Sequence, residues 1–285
     1  MATPANIPEG LLNALSSKKC VLFAGAGLSV AAGYPSWTDL LLELNQRGEN
    51  KGYISPAKAK QLADLITKPN KQLMAAQEIS DEFGREHFLG ELVDVFERSP
   101  KKPTELHRAL LELPFSLVVT TNFDQLIENQ YAALNFEIPK TYTHQDTADF
   151  ADALWKGSFF VLKAHGDITR KTSIILTQKD YRTILYAAPG YRAVLSAIFT
   201  TKTILFMGVS LSDPETELLL GYLHDSFHGG GVYHYALVPR SEFNETVVNR
   251  WRKDYKVECL CYDATAGHPE VLQFTRELHA GIAKK

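Results

Sequence analysis

Lys19–Leu40 reads KCVLFAGAGLSVAAGYPSWTDL, and the rest of the chain is organised around it. Cys20, Val21, Leu22 and Phe23 form a continuous apolar run bounded by a turn signal, the pattern of a strand covered on both faces. Gly25 and Gly27 follow at once, with Ala26 between them. Glycine there permits a sharp turn and lets a bulky phosphate approach where a Cβ would obstruct it. The amides after Gly27 are expected to point outward at a helix N-terminus, which attracts anions through free N–H groups and the helix dipole. A dinucleotide site opens in this way, although Val30 stands where the strict fingerprint has its third small residue.

The 285 residues suffice for one large α/β domain, or for such a domain with a smaller helical module inserted. Hydrophobic residues make up 45% and charged residues 22%, which supplies a sizeable core and excludes a disordered chain. With 30 basic and 33 acidic residues the net charge is −3, so direct nucleic-acid binding is not expected. No basic N-terminal segment leads into an apolar core, and no run is long enough to cross a bilayer. A soluble, cytoplasmic protein is therefore expected. The three cysteines, Cys20, Cys259 and Cys261, make neither a disulfide framework nor a four-ligand zinc site.

Leu11, Leu12 and Leu15 suit a short helix that leads into the first strand and covers a sheet edge. Trp37 to Leu44 reads as a helix and Gly48 to Ile54 as a loop. From Pro56 to Leu113 apolar residues recur at helical spacing, so residues 56–113 are expected to form an all-helical insertion, either a lid or small module beside the nucleotide cleft or a purely structural helical layer. Phe115–Thr121 is the next strand, and Asn122-Phe123-Asp124 opens a helix. Asn135–Trp155 is polar and reads as loops. Phe159–Ala164 is a strand ending in His165-Gly166-Asp167, followed by a short β-rich piece at Ile174–Thr177 and two helical patterns. Thr203–Met207, Val232–Pro239 and Val257–Tyr262 complete about six strands. Ser212-Asp213-Pro214 reads as a helix opening for Glu215–Phe227. His224 and His228 are four residues apart but lack the acidic partner of an HExxH site. Strands and helices alternate along most of the length, which predicts a Rossmann-like, doubly wound, mainly parallel sheet with right-handed crossovers.

Four elements recur at strand exits in this order: Gly25-Ala26-Gly27-Leu28-Ser29, Thr121-Asn122-Phe123-Asp124, His165-Gly166 and Gly208-Val209-Ser210. Together they resemble the NAD-binding and catalytic motifs of the sirtuin family over nearly the whole chain. Residues 167–207 contain no cysteine, so the zinc module of protein-deacetylating sirtuins is absent from this resemblance and no zinc is expected. Pro35-Ser36-Trp37-Thr38 stands where that family carries Pro-Asp-Phe-Arg, leaving Trp37 as the aromatic wall and no arginine near the phosphates. The phrases FAGAGLS, GYPSWTDLL, TTNFD and SLSDPE are similar to zinc-free, NAD-hydrolysing sirtuin-like domains of bacterial antiphage defence. Those occur in Thoeris systems, beside short Argonautes and with HerA-type ATPases.

The resemblance implies NAD as substrate, a defence partner or a homo-oligomer as the controlling element, and a cleavage that yields nicotinamide and ADP-ribose. It also implies an NAD site built from Gly25, Ala26, Gly27, Ser29, Trp37, Thr121, Asn122, Asp124, Gly208, Val209 and Ser210. Asn122 can position water or a ribose hydroxyl, and His165 can accept the proton. Asp124 either holds the nicotinamide carboxamide or caps a helix. Transfer of ADP-ribose or an acyl group to a protein remains open, as does a catalytically silent nucleotide-sensing module.

Overall fold

Strand β1 (Cys20–Ala24) lies in the middle of the sheet, with β2 (Leu117–Thr120) paired on one side and β5 (Thr203–Met207) on the other. The computed structural model describes residues 7–211, 217, 220–221, 224–225, 228 and 230–284. Beyond β2 lie β4 (Phe160–Lys163) and β3 (Lys140–Thr143); beyond β5 lie β6 (His234–Pro239) and β7 (Val257–Tyr262). The seven strands are parallel, in the order β3-β4-β2-β1-β5-β6-β7. The chain leaves β1 toward β2 and reaches its other side only with β5. The winding therefore reverses beside β1, and the carboxyl ends of the strands at such a reversal are where sheets of this kind bind ligands.

Alternation along β1 divides the core. Leu22 and Ala24 face α1 (Glu9–Ser16), α7 (Glu105–Leu111), α8 (Leu126–Asn135) and α13 (Pro269–Ala283). Val21 and Phe23 face α9 (Thr147–Trp155), α10 (Gln178–Ala187), α11 (Pro189–Thr201) and α12 (Glu245–Tyr255). Each fully buried Leu or Phe contributes about 1.5–3 kcal/mol by leaving water. A third apolar cluster joins α3 (Trp37–Asn50), α4 (Pro56–Ile66), α5 (Gln72–Phe83) and α6 (Arg85–Glu97). It takes in Phe123, which follows β2, and Ile168, Ile174 and Leu176, which follow β4. Helix α7 instead packs in the sheet-facing cluster through Leu106 and Leu110.

Several expectations are corrected. Among the described residues the sheet has seven strands where about six were expected, because Asn135–Trp155 contains β3 and α9. Lys140-Thr141-Tyr142-Thr143 is an edge strand with little apolar content, and α9 buries only Phe150 and Ala153, so neither carries a strong periodic signal. Ile174–Thr177 is not a strand. Its side chains alternate because Ile175 enters one cluster while Ile174 and Leu176 enter another. Helix α8 begins at Leu126, so Asn122-Phe123-Asp124 is the loop before it. Helix α3 runs on to Asn50, and α1 covers the middle of the sheet through Leu11 and Leu15 rather than an edge. The helix expected over Glu215–Phe227, with its Ser212-Asp213-Pro214 opening, lies outside the described residues except at isolated positions.

His234 closes the base of the β5–β6 pair: its Nδ1 accepts a hydrogen bond from the Ile204 amide at 3.1 Å, so that nitrogen carries no proton. Burial pushes its pKa down from 6.5 to about 4. Between these values the unfolded chain binds the proton and the folded protein does not, so stability falls as the pH falls. The loss from His234 amounts to roughly 3 kcal/mol between pH 7 and pH 4. In His234→Asn the amide oxygen retains the acceptor without titrating. Urea unfolding at both pH values is expected to show a smaller acid loss in this variant than in the wild type.

Candidate active site

The exits of β4, β2, β1 and β5 lie side by side, because Thr120 pairs with Lys163 and Ala24 pairs with both Thr120 and Met207. They carry His165, Asn122, the Gly25 turn and Gly208-Val209-Ser210, in that spatial order. Residues 97 positions apart in sequence are thereby brought within hydrogen-bond reach.

The glycine turn differs from the expected anion cradle. Helix α2 (Ala26–Val30) starts at Ala26 with Gly25 as its N-cap. The Gly27 amide donates to Gly208 O at 2.9 Å, and the Leu28 amide donates to Gly25 O at 3.1 Å. The Leu28 amide therefore turns inward. A Cβ on Gly25 would stand 2.4 Å from Gly208 O, and one on Gly27 would stand 2.9 Å from Gly208 Cα. Gly208 itself has φ +67°, a left-handed conformation that favours glycine. These glycines let two strand exits pack backbone against backbone. Val209 lies against Gly25 and is half-buried, whereas Ser210 is exposed.

Asn122, 7% exposed, bridges the β2 and β1 exits. Its Nδ2 donates to Gly25 O at 3.0 Å and to Ser29 Oγ at 2.8 Å. Gly25 O can only accept, so the amide orientation is settled and Oδ1 is the opposite end. That oxygen is buried without a hydrogen-bond partner. Ser29 Oγ donates to Asp124 Oδ2 at 2.5 Å, and Asp124 Oδ1 accepts from the Leu126 amide at 3.0 Å. Asp124 therefore ties the loop to the start of α8 and to Ser29. The Thr121 amide donates to Ala24 O at 3.2 Å, and Thr120 Oγ1 donates to the same oxygen at 2.9 Å.

On the neighbouring exit His165 is 7% exposed, with the Tyr181 hydroxyl 3.1 Å from its Nε2. Gly166 has φ +92°, and a Cβ there would meet Ser173 O at 2.1 Å, so the His-Gly turn presses on the following loop. Beneath both exits Lys163 is fully buried, 3.2 Å from Glu128 Oε1 and 3.7 Å from Asp167 Oδ2. Burial pushes the Glu128 carboxyl above the usual range against the pull of Lys163. Burial also acts upward on Asp167, but Lys163, Thr169 and Gln125 outweigh it and hold that carboxyl below the usual range.

The structure thus brings Gly25, Ser29, Asn122 and Asp124 into one hydrogen-bonded set, with Thr121 anchored beside it. His165 stands on the adjacent exit. Trp37 is outside this set, half-buried against the helical cluster at the first turn of α3. Sequence reasoning missed Tyr181, Lys163 and Glu128. Lys163 left a signal, a charge closing the otherwise apolar strand Phe160-Val161-Leu162-Lys163. Tyr181 left none, since its contact with His165 depends on how α10 packs. Among the described residues no group of three or more His, Cys, Asp or Glu side chains is placed to hold a metal ion. No helix among them is long and apolar enough to cross a membrane.

Residues 116–260, half of the chain, match the family model of the SIR2-like domain, and they include the Asn122, His165 and Gly208 exits. The chain belongs to the SIR2-like family. It is 30% identical over 265 residues to a Cytobacillus dafuensis protein named NAD(+) hydrolase ThsA, with 90% of this chain and 50% of that protein covered. A protein of the same name from Enterococcus faecium is 32% identical over 232 residues, covering 79% of this chain and 44% of its own length. Defense-associated sirtuin 2 of Bacillus subtilis is 28% identical over 218 residues, covering 74% of this chain and 20% of its own length. This SIR2-like chain spans about half, or less, of the curated relatives it matches.

The close packing of the turn predicts that Gly25→Ala lowers unfolding stability by about 1–3 kcal/mol even without nucleotide. Chemical denaturation of the ligand-free protein checks this. Unchanged stability with weakened nucleotide binding would show that the glycine serves phosphate approach alone.

Proposed function

We propose that the protein is an NAD glycohydrolase, converting NAD and water into ADP-ribose, nicotinamide and a proton. The observation that carries this reading is the orientation of Asn122. Its Nδ2 is committed to Gly25 and Ser29, so the buried Oδ1 is left to accept from a ligand O–H at the winding reversal of the sheet. A water or a ribose hydroxyl fits that acceptor. The names of relatives at about 30% identity over most of this chain support the same substrate.

The chemistry asks little of the protein beyond placement. Nicotinamide leaves as a neutral molecule when the bond from its ring nitrogen to C1′ breaks, and a water oxygen forms the new bond to C1′. The protein must hold that water, stabilise the oxocarbenium-like transition state and keep other nucleophiles away. Asn122 Oδ1 holds the water or a ribose hydroxyl, and His165, oriented by Tyr181, takes the released proton and passes it to solvent. Asp124 acts through its bonds to Ser29 and the Leu126 amide, which keep the loop in place. Gly25-Ala26-Gly27 and Gly208-Val209-Ser210 frame the dinucleotide, with Trp37 at the outer wall.

In this reading the protein depletes NAD in the cytoplasm during antiphage defence. It is held in check by its own oligomeric state or by a partner such as a HerA-type ATPase or a short Argonaute. Asn122→Ala and His165→Ala are each expected to lower NAD hydrolysis by at least about a hundredfold while leaving the fold intact. Chromatographic quantitation of nicotinamide and ADP-ribose, alone and with proteins encoded beside this one, measures it. Undiminished turnover in both variants would end the assignment.

A further inference from the structure

Lys163 ends β4 two residues before His165, with no exposed surface. Enclosing an ammonium costs several kcal/mol before its partners offset the loss, and an apolar side chain would continue the strand at no such cost. The partners show what the charge does there. Lys163 Nζ donates to Phe123 O at 3.1 Å and to Asp124 O, the two carbonyls that follow Asn122. It also lies 3.2 Å from Glu128 on the first turn of α8 and 3.7 Å from Asp167 on the β4 exit. Phe123 O accepts a second bond, from the Ile168 amide at 3.1 Å. One atom thus holds the loop after Asn122 and the loop after His165 to each other.

We infer that Lys163 is a positioning residue, whose ammonium sets the Asn122 loop against the His165 turn so that both side chains face one reacting centre. The kinetic part of this inference rests on the glycohydrolase reading; the structural part rests on the geometry alone. Lys163 touches no reacting atom and acts through the backbone of Phe123 and Asp124.

The test removes Lys163 and Glu128 together, as Lys163→Met/Glu128→Leu, so that neither of these two is left enclosed without the other, while Asp167 keeps its bonds from Gln125 and Thr169. The melting temperature is expected to stay within about 4 °C of the wild type. The kcat for NAD is expected to fall at least about thirtyfold, with KM held within about threefold. Hydrogen exchange at the Ile168 amide is expected to speed up at least about tenfold, with β1 amides unchanged. Glu128→Gln keeps the ammonium and its carbonyl bonds, and is expected to retain kcat within about threefold of the wild type.

Wild-type kcat and unchanged Ile168 exchange in the double variant would overturn the inference. So would a kcat loss in folded Glu128→Gln as large as that of the double variant, since the ion pair rather than the carbonyl bonds would then matter. If the double variant does not fold, Glu128→Gln decides by itself: its ammonium and carbonyl bonds are intact, so a kcat loss of about thirtyfold or more in that folded variant overturns the inference, and kcat within about threefold of the wild type supports it. A wild-type protein inert toward NAD would remove the glycohydrolase reading instead, and Ile168 exchange would then decide the positioning role by itself.

Discussion

The register of β1 is the constraint from which the site follows. Ala24 is level with Thr120 on one side and Met207 on the other, and Thr120 is level with Lys163. Parallel pairing at this register makes four strands end together, so the residue types that follow each end share one crevice. A slip of one residue would turn Phe23 and Leu22 toward the opposite layers and bury the wrong face. The two apolar layers therefore enforce the alignment that the polar exits need.

Within that frame the polar bonds are few and directional. Gly25 O fixes the orientation of the Asn122 amide, Ser29 passes the connection on to Asp124, and Asp124 secures the start of α8. Each member is buried, so each missing partner would leave an enclosed polar atom unsatisfied. The exception is Asn122 Oδ1, and it lies where the sheet reverses its winding.

Much of this was legible in the chain itself. The runs Cys20–Phe23, Leu117–Val119, Phe160–Leu162 and Ile204–Met207 lie in strands buried on both faces, and their apolar character announces them. The polar residues after each one are conspicuous because the apolar run stops abruptly. The edge strand β3 was not legible, since Lys140 is exposed, Thr141 and Tyr142 are only half-buried, and a partner on one side alone sustains it. The role of Gly25 was half legible. A tight turn is local and visible, whereas contact with Gly208 depends on two segments 183 positions apart meeting in space. Lys163 shows the same division: its charge was visible in the strand, but its four oxygen partners were set by tertiary packing.

Phe123 occupies a telling place. Its neighbours Asn122 and Asp124 turn toward the glycine loop, while its ring enters the apolar cluster of α3–α6 at 6.1 Å from Phe96, which in turn contacts Tyr34 at 5.0 Å. One residue is therefore shared by the helical layer and by the polar crevice. The helices cannot slide across the strand ends without dragging the peptide that carries Asn122. The helical layer and the strand exits are mechanically one part, joined through the Phe123 ring after β2 and through Ile168, Ile174 and Leu176 after β4.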